Sequence, residues 1–403
     1  MSNTSTARPL DGFRVLEVGQ LLAGPFAGSV LGYYGAEVIK VETPGDGDPI
    51  RKWRVLDENG TSYWWRSLGR NKKCITANLR TDEGRDIVRR LAEQSDVIIE
   101  NFKPGTMEKW GLGPEDFQAS NPGLIYARIS GYGQDGPYAS RPGFASVCEG
   151  VGGFRYVNGF PGQAPVRPNL SIGDTLAGLH TALGIVMACV HRMKDPEGRG
   201  QIIDTALYEA VFNLLEGVVP EYDGAGVIRE PSGSTLTGIV PTNTYRCNDN
   251  KFIIIGANGD SIFKRLAEKM GRPDMAADPR FEDNAGRVEH EKEIDDAITE
   301  WTGSVSSEQA LTAMEEAQVP SGPIYSVVDM LADEHFNARG LFEEVDVNGT
   351  TLKIPSMVPK LSRTPGRTDW AGPEVGAFND EILGGLLGFS DDELNSMRDQ
   401  GII

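Results

Sequence analysis

The stretch Arg167-Pro168-Asn169-Leu170-Ser171-Ile172-Gly173-Asp174-Thr175-Leu176 holds the residue of this chain best suited to chemistry. It ends an extended run in Gly-Asp-Thr and opens onto an apolar pattern over 176–193. There Leu176, Leu179, Leu183, Val186 and Val190 recur at helical spacing as one face. An aspartate at a helix start has two uses. As a cap it accepts hydrogen bonds from the free amides of the first turn. As a nucleophile it is a carboxylate that the positive helix terminus keeps ionised. The ten residues by themselves leave both readings open.

Two basic groups stand out against a formal charge of −19. Arg70, Lys72 and Lys73 precede a predicted strand, and Lys103 and Lys109 follow one, in the run that begins Asn101-Phe102-Lys103-Pro104-Gly105. At strand ends such cations either hold phosphates or stand as solvated loop charge. Gly233-Ser234-Thr235-Leu236-Thr237-Gly238 is either a flap over a site or a linker. Gly19-Gln20-Leu21-Leu22-Ala23-Gly24-Pro25 is a small-residue strand-to-helix turn. It is neither a dinucleotide fingerprint nor a phosphate loop with its Lys-Ser/Thr, which speaks against a dehydrogenase or an NTPase. His180 and His191 share a helical pattern without the acidic neighbours of a metal site, and His290 and His335 lie in charged segments. No G-x-S-x-G occurs.

These residues are positioned by an alternation of short β-branched runs and helical patterns. Strands are predicted over 14–18, 37–42, 74–79, 96–100 and 124–129, with helices over 25–34 and 81–93. That order implies a doubly wound, parallel α/β sheet, whose ligands bind at the carboxyl ends of strands. Residues 131–173 read as loop, 217–240 as a linker, and 324–328 as a further strand; 341–354 read as a hairpin turning at Asn348-Gly349. At 403 residues two domains are expected. The first spans 1–216 and is completed by 355–403, and a smaller α/β domain covers 241–340.

The acidic balance argues against nucleic acid or an anionic membrane as partner. Cys74, Cys148, Cys189 and Cys247 form no C-x-x-C pair, which fits a reducing compartment and neither disulfides nor zinc. No apolar run of membrane-spanning length is evident, and the polar start lacks a signal core, so a cytoplasmic location is expected.

Further stretches carry a resemblance. Residues 10–17, Ala23-Gly24-Pro25 and residues 35–42 open it. Asn71-Lys72-Lys73, the segment 97–105, Gly131-Tyr132-Gly133-Gln134-Asp135-Gly136-Pro137-Tyr138, Gly173-Asp174, Gly198-Arg199-Gly200-Gln201 and Pro320-Ser321-Gly322-Pro323 continue it in order. Together they resemble the family III CoA-transferases over nearly the whole chain. The resemblance implies an interlocked homodimer of two-domain chains, with Asp174 as covalent nucleophile. It implies that Leu22, Ala23, Lys72, Lys73, Asn101, Phe102, Lys103, Lys109 and Tyr132 line the CoA site, and that the loop with Gly233 and Gly238 is a flap. Arg141 and Arg167, in loops leading to Asp174, are candidates for the acid's carboxylate. CoA and acyl-CoA would be substrates, with no metal or resident cofactor. Leu22 and Thr43 replace the Gln and Arg of the formyl-CoA branch, which favours small dicarboxylates: succinate as donor acid, with mesaconate, citramalate, malate or glutarate as acceptor. The alternative is an α-methylacyl-CoA racemase or isomerase on the same scaffold. Where that branch has Gly-His-Asp this chain has Gly143-Phe144-Ala145, so the second proton-transfer group is missing.

Overall fold

A computed structural model describes residues 7–403. The chain divides into two units, one of residues up to 154 with 168–216 and 335–403, the other of 155–167 and 217–334. In the first unit β1 (Arg14–Glu17), β2 (Glu37–Glu42), β3 (Lys72–Thr76), β4 (Val97–Glu100), β5 (Ile125–Ser130) and β6 (Ile202–Ala206) form one sheet in the order β3-β2-β1-β4-β5-β6. Every neighbouring pair is parallel. The order reverses between β1 and β4, and the crevice at such a switch point is where open α/β sheets bind ligands.

Both faces of the sheet are covered, which is why its strands are apolar on both sides. On one face α1 (Ala23–Tyr33) and α7 (Ile172–Arg192) pack on Val15, Val38, Ile99 and Ala127. On the other, α3 (Asp82–Ala92) and the C-terminal residues Ile382, Leu394, Ile402 and Ile403 pack on Leu16, Ile39, Ile75 and Ile98. Between them in sequence lie α2 (Tyr63–Leu68), α4 (Thr106–Lys109), α5 (Ala145–Val151) and α6 (Phe154–Val157). The segment read as loop over 131–173 thus contains two short helices. The hairpin is present as the strands Phe342–Val347 and Thr350–Pro355, with Asn348 and Gly349 both at positive φ.

The second unit has a three-stranded antiparallel sheet, Thr242–Arg246, Phe252–Gly256 and Ser321–Pro323, around a core that includes Ile253, Phe263, Leu266, Ile294 and Met314. Its last strand precedes the predicted one. Ser326 and Asp329 form a capping box that starts the helix Val327–Ala332 instead. The stretch read as a linker carries the helix Val218–Ala225.

The apolar face predicted for α7 is not the one it buries. Ala177, Gly178, Ala182, Ile185 and Ala188 face inward, while Leu179, Leu183, Val186 and Val190 are exposed. Small residues win because α1 approaches closely: a Cβ on Gly178 would lie 2.6 Å from the Ala23 carbonyl oxygen. By length and composition α7 also reaches the dimensions of a membrane span, unlike the sequence expectation, although 44% of its most apolar window is buried inside the fold.

Under α1 lies a buried cluster of charges. The Lys40 ammonium meets Glu17 Oε1 at 3.1 Å, Asp48 Oδ2 at 2.9 Å and the Gly19 carbonyl at 2.9 Å, which uses all three of its protons. Lys72 is 2.8 Å from Glu17 Oε2 and donates to the Pro25 carbonyl at 2.6 Å. Glu42 pairs with Arg51 through two nitrogens, and that guanidinium lies 3.9 Å above the Trp65 ring. All six charged groups are buried, and three cations balance three carboxylates. Burial alone would lower the Lys40 pKa, but Asp48, Glu17 and Glu42 more than reverse it and hold the group charged.

Removing one member of such a cluster leaves a charge uncompensated in a dry site. Lys40→Met is expected to destabilise the chain by roughly 3–5 kcal/mol in urea unfolding. Lys73→Met, which breaks partly exposed pairs with Glu37 and Glu381, is expected to cost under about 1 kcal/mol. Equal effects would show that the buried cluster does not stabilise the fold.

Candidate active site

The turn between β1 and α1 is held from both sides. Asn101, at the carboxyl end of β4, accepts from the Gln20 amide at 2.7 Å and donates to the Gln20 carbonyl at 2.7 Å. A Cβ on Gly19 would sit 2.6 Å from the Asn101 oxygen, so this clamp requires glycine there. From the other side Asp48 accepts from the Leu21 amide with both oxygens, at 3.1 Å each, and holds Leu21 at φ +65°. The turn spans the β1–β4 switch point and starts α1 without a side-chain cap.

Asp174 comes to the same place. The helix begins at Ile172 with Ser171 in the cap position, so Asp174 lies in the first turn and the N-cap reading is replaced. There the positive end of the helix still favours the ionised carboxylate. Gly178, one turn later, packs on Ala23, which carries Asp174 to the start of α1. Gly173 packs against Ala145, and its amide is 3.4 Å from Glu149 Oε1 on α5. The Cys148 thiol faces the same group of carboxylates: burial, with Asp174 and Glu149 nearby, pushes it up to about 11. The loop after β5 closes this wall, since Gly131 and Gly143 approach too closely for a Cβ on either. A cavity of about 730 Å³ opens beside the start of α7, lined by Leu22, Phe26, Trp64, Ser171, Thr175 and Leu176 among others.

The remaining sequence candidates divide. Leu22 and Ala23 are at the turn, both buried, with Leu22 on the cavity wall. Lys103 and Lys109 are exposed at the carboxyl edge, and neither has an ion-pair partner among the described residues. Phe102 packs edge-on against Trp110, and Tyr132 packs against Tyr138 and Tyr208 beyond β5. The reading for Lys72 and Lys73 is withdrawn. Both lie at the amino end of β3; Lys72 is fully buried against Glu17, and Lys73 pairs with Glu37 and Glu381. Strand β3 starts two residues before its prediction, so these cations belong to the sheet and not to a loop ahead of it. Arg141 stacks on Tyr138, 3.6 Å from its ring centre, while Arg167, Gly233 and Gly238 belong to the second unit. Gly233 and Gly238 both have positive φ, and the Gly233 amide donates to the Gly159 carbonyl.

Sequence reasoning did not single out Glu149, Asp48 or the clamp made by Asn101. One signal was available: Glu17, Lys40 and Glu42 are charged residues inside strands that are otherwise apolar. In a sheet covered on both faces such residues must find one another.

Comparison with known proteins agrees with this architecture. The model of CoA-transferase family III matches residues 10–379. A succinyl-CoA–D-citramalate CoA-transferase of Chloroflexus aurantiacus is 47% identical over the full length of both chains. The alpha subunit of a succinyl-CoA–L-malate CoA-transferase from the same organism is 42% identical over 98% of this chain and 92% of its own. Among solved structures, a CaiB/BaiF family protein from Brucella suis superimposes with a TM-score of 0.83 at 34% identity, covering 94% of this chain and all of the other.

A thiol with a pKa of about 11 is thiolate in only about one molecule in ten thousand at neutral pH. Cys148 is therefore expected to resist iodoacetamide in the native protein and to react once the chain is denatured, read by mass spectrometry of its peptide. Rapid native labelling would mean that the wall around Asp174 is open.

Proposed function

The chain belongs to CoA-transferase family III, and on that premise we propose that it transfers CoA from succinyl-CoA to a small dicarboxylic acid through covalent intermediates on Asp174. The observation that carries the reading is the placement of Asp174. A half-buried carboxylate in the first turn of α7 stands at the uncapped start of α1, over the switch point of the sheet. Citramalate and malate are the favoured acceptors, because the relatives named for them share 47% and 42% of their residues with this chain over nearly its whole length.

In this mechanism an Asp174 oxygen attacks the thioester carbonyl of succinyl-CoA. The C–S bond breaks, leaving an aspartyl–succinyl anhydride and CoA thiolate. The thiolate then attacks the Asp174 carbonyl, expels succinate and leaves an aspartyl-CoA thioester. The acceptor carboxylate attacks that thioester to form a second anhydride. The released thiolate takes the acceptor's acyl carbon, and Asp174 leaves as a carboxylate. No proton need move, and the energy of the thioester is retained throughout. Each attack puts negative charge on a carbonyl oxygen, and the first-turn amides of α1 are suitable donors to it. Lys103 and Lys109 would hold phosphates of CoA at the carboxyl edge. No resident cofactor is called for. The four buried cysteines suit a reducing cytoplasm.

The racemase alternative finds less support. It requires a base on each face of the α-carbon, and where the racemase branch has its His and Asp this chain has Phe144 and Ala145, whose side chains do not ionise.

The exposed row Leu179, Leu183, Val186 and Val190 on α7 is apolar enough to belong in an interface. We read it as covered by a second copy of the chain, in keeping with a homodimer.

Incubation with succinyl-CoA and hydroxylamine is expected to convert Asp174 to a hydroxamate, detected on its peptide by mass spectrometry. Asp174→Ala is expected to leave less than about a thousandth of the exchange rate, the scale of losing a nucleophile. An unmodified peptide together with near-wild-type exchange would sink the mechanism. Light scattering on the purified protein is expected to give twice the chain mass, and Leu183→Asp to shift it toward the monomer. A monomeric wild type would refute the homodimer.

A further inference from the structure

We propose that Asn101 is a positioning residue of the reaction: its side chain fixes the turn whose amides receive the developing oxyanion, and it does not bind the CoA ester. The inference rests on the reading of Asp174 as the acyl acceptor, and it reassigns a residue that the family resemblance places in the CoA site. Beyond Glu17 the backbone pairing of β1 with β4 runs out. The Val18 and Gly19 amides both reach the Ile99 carbonyl, at 2.9 and 3.3 Å. Asn101 then carries the pairing on with its side chain. Its Oδ1 accepts from the Gln20 amide and its Nδ2 donates to the Gln20 carbonyl, each at 2.7 Å. Among side chains at neutral pH, only a primary amide sets a donor beside an acceptor in this way. It therefore pairs with the Gln20 peptide as a neighbouring strand would.

The same side chain fills the inside of the turn. A Cβ on Gly19 would lie 2.6 Å from Asn101 Oδ1, and one on Gly24 would lie 3.6 Å from Asn101 Cγ. Asn101 thus touches both the entry to the turn and the second residue of α1. Between them the chain passes through Leu21 at φ +65°, and α1 starts at Ala23 with no side-chain cap. Pro25 has no N–H, and the Phe26 amide already bonds the Leu22 carbonyl at 2.7 Å. The donors of the first turn are therefore the amides of Ala23 and Gly24, and Gly24 is the one against which Asn101 packs. Such donors stabilise an oxyanion only where they are held in place beforehand. A displacement of about 1 Å is enough to cost on the order of 100-fold in rate.

Steady-state exchange between succinyl-CoA and citramalate or malate tests this in Asn101→Ala, Gly19→Ala and the double variant. Asn101→Ala is expected to lower kcat by roughly 10–100-fold and to keep KM for succinyl-CoA within about twofold, because binding common to ground and transition states is untouched. Gly19 is not left-handed, so its backbone admits alanine, and the nearest atoms its methyl meets belong to Asn101. Gly19→Ala should push the amide off Gln20 and give a loss in kcat of similar size. With the Asn101 side chain gone there is nothing left to displace, so the double variant should lose no more than about twofold beyond Asn101→Ala. Asn101→Ser replaces Asn101→Ala throughout if circular dichroism shows the alanine variant unfolded. A raised KM with kcat retained would make Asn101 a CoA ligand and overturn the inference. Unchanged kinetics, or losses that multiply in the double variant, would overturn it as well. Each of those results leaves the transferase reading standing. A wild type that exchanges CoA with neither acid overturns that reading, and this inference with it.

Discussion

Lys40 is the group on which the arrangement of the first unit depends. It lies fully buried on β2, and its ammonium ties together Glu17 from β1, Asp48 from the loop after β2 and the carbonyl of Gly19. A buried lysine in this position is costly on its own. Its cost is offset only if all its partners stay in place, so the cluster turns three separate segments into one unit. Asp48 is the member that reaches outward. Having paired with Lys40, it still accepts from Leu21 and Ile50. A charge pair beneath the helix thereby sets the backbone of the turn above it. Replacing the cluster with apolar residues of equal volume would preserve packing but lose this hold on Leu21.

The placement of Asp174 follows from a different kind of constraint. Helices α1 and α7 meet where Gly178 packs on the Ala23 carbonyl and the Phe26 side chain, and Gly28 likewise lets α1 sit on Glu17. A larger residue at Gly178 would push the helices apart and move Asp174 away from the turn. Rigid packing of small residues thus does for α7 what the ion cluster does for the turn. The two meet at the carboxyl ends of β1 and β4, where Asn101 ties one strand end to the other.

Much of this was legible in the sequence. The β-branched runs separated by helical patterns specify a parallel doubly wound sheet, because only a sheet covered on both faces accepts strands apolar on both sides. The Gly173-Asp174 stretch was legible as a helix start, although the cap falls on Ser171. The face of α7 was misread for a physical reason. Periodicity finds the large apolar residues, whereas close helix contact selects small ones, so Ala177, Gly178 and Ala182 bury while Leu179 and Leu183 do not. Lys72 and Lys73 were misplaced because strands that carry lysines in their first residues look like loops ahead of strands.

A chain with a formal charge of −19 has to assemble three anions for the proposed reaction: an aspartate, a CoA ester and a carboxylic acid. Surface cations cannot do this alone, because solvent screens them. Helix termini answer the difficulty better. The starts of α1 and α7 both lack a side-chain bond from the cap residue, and each carries roughly half a positive charge. A serine or aspartate oxygen capping α1 would consume donors that a developing oxyanion could use. Leu22 occupies that position in α1, where a cap residue would serve stability better. In the proposed reaction, open amides at that turn would serve better than a cap, and Leu22 leaves them open.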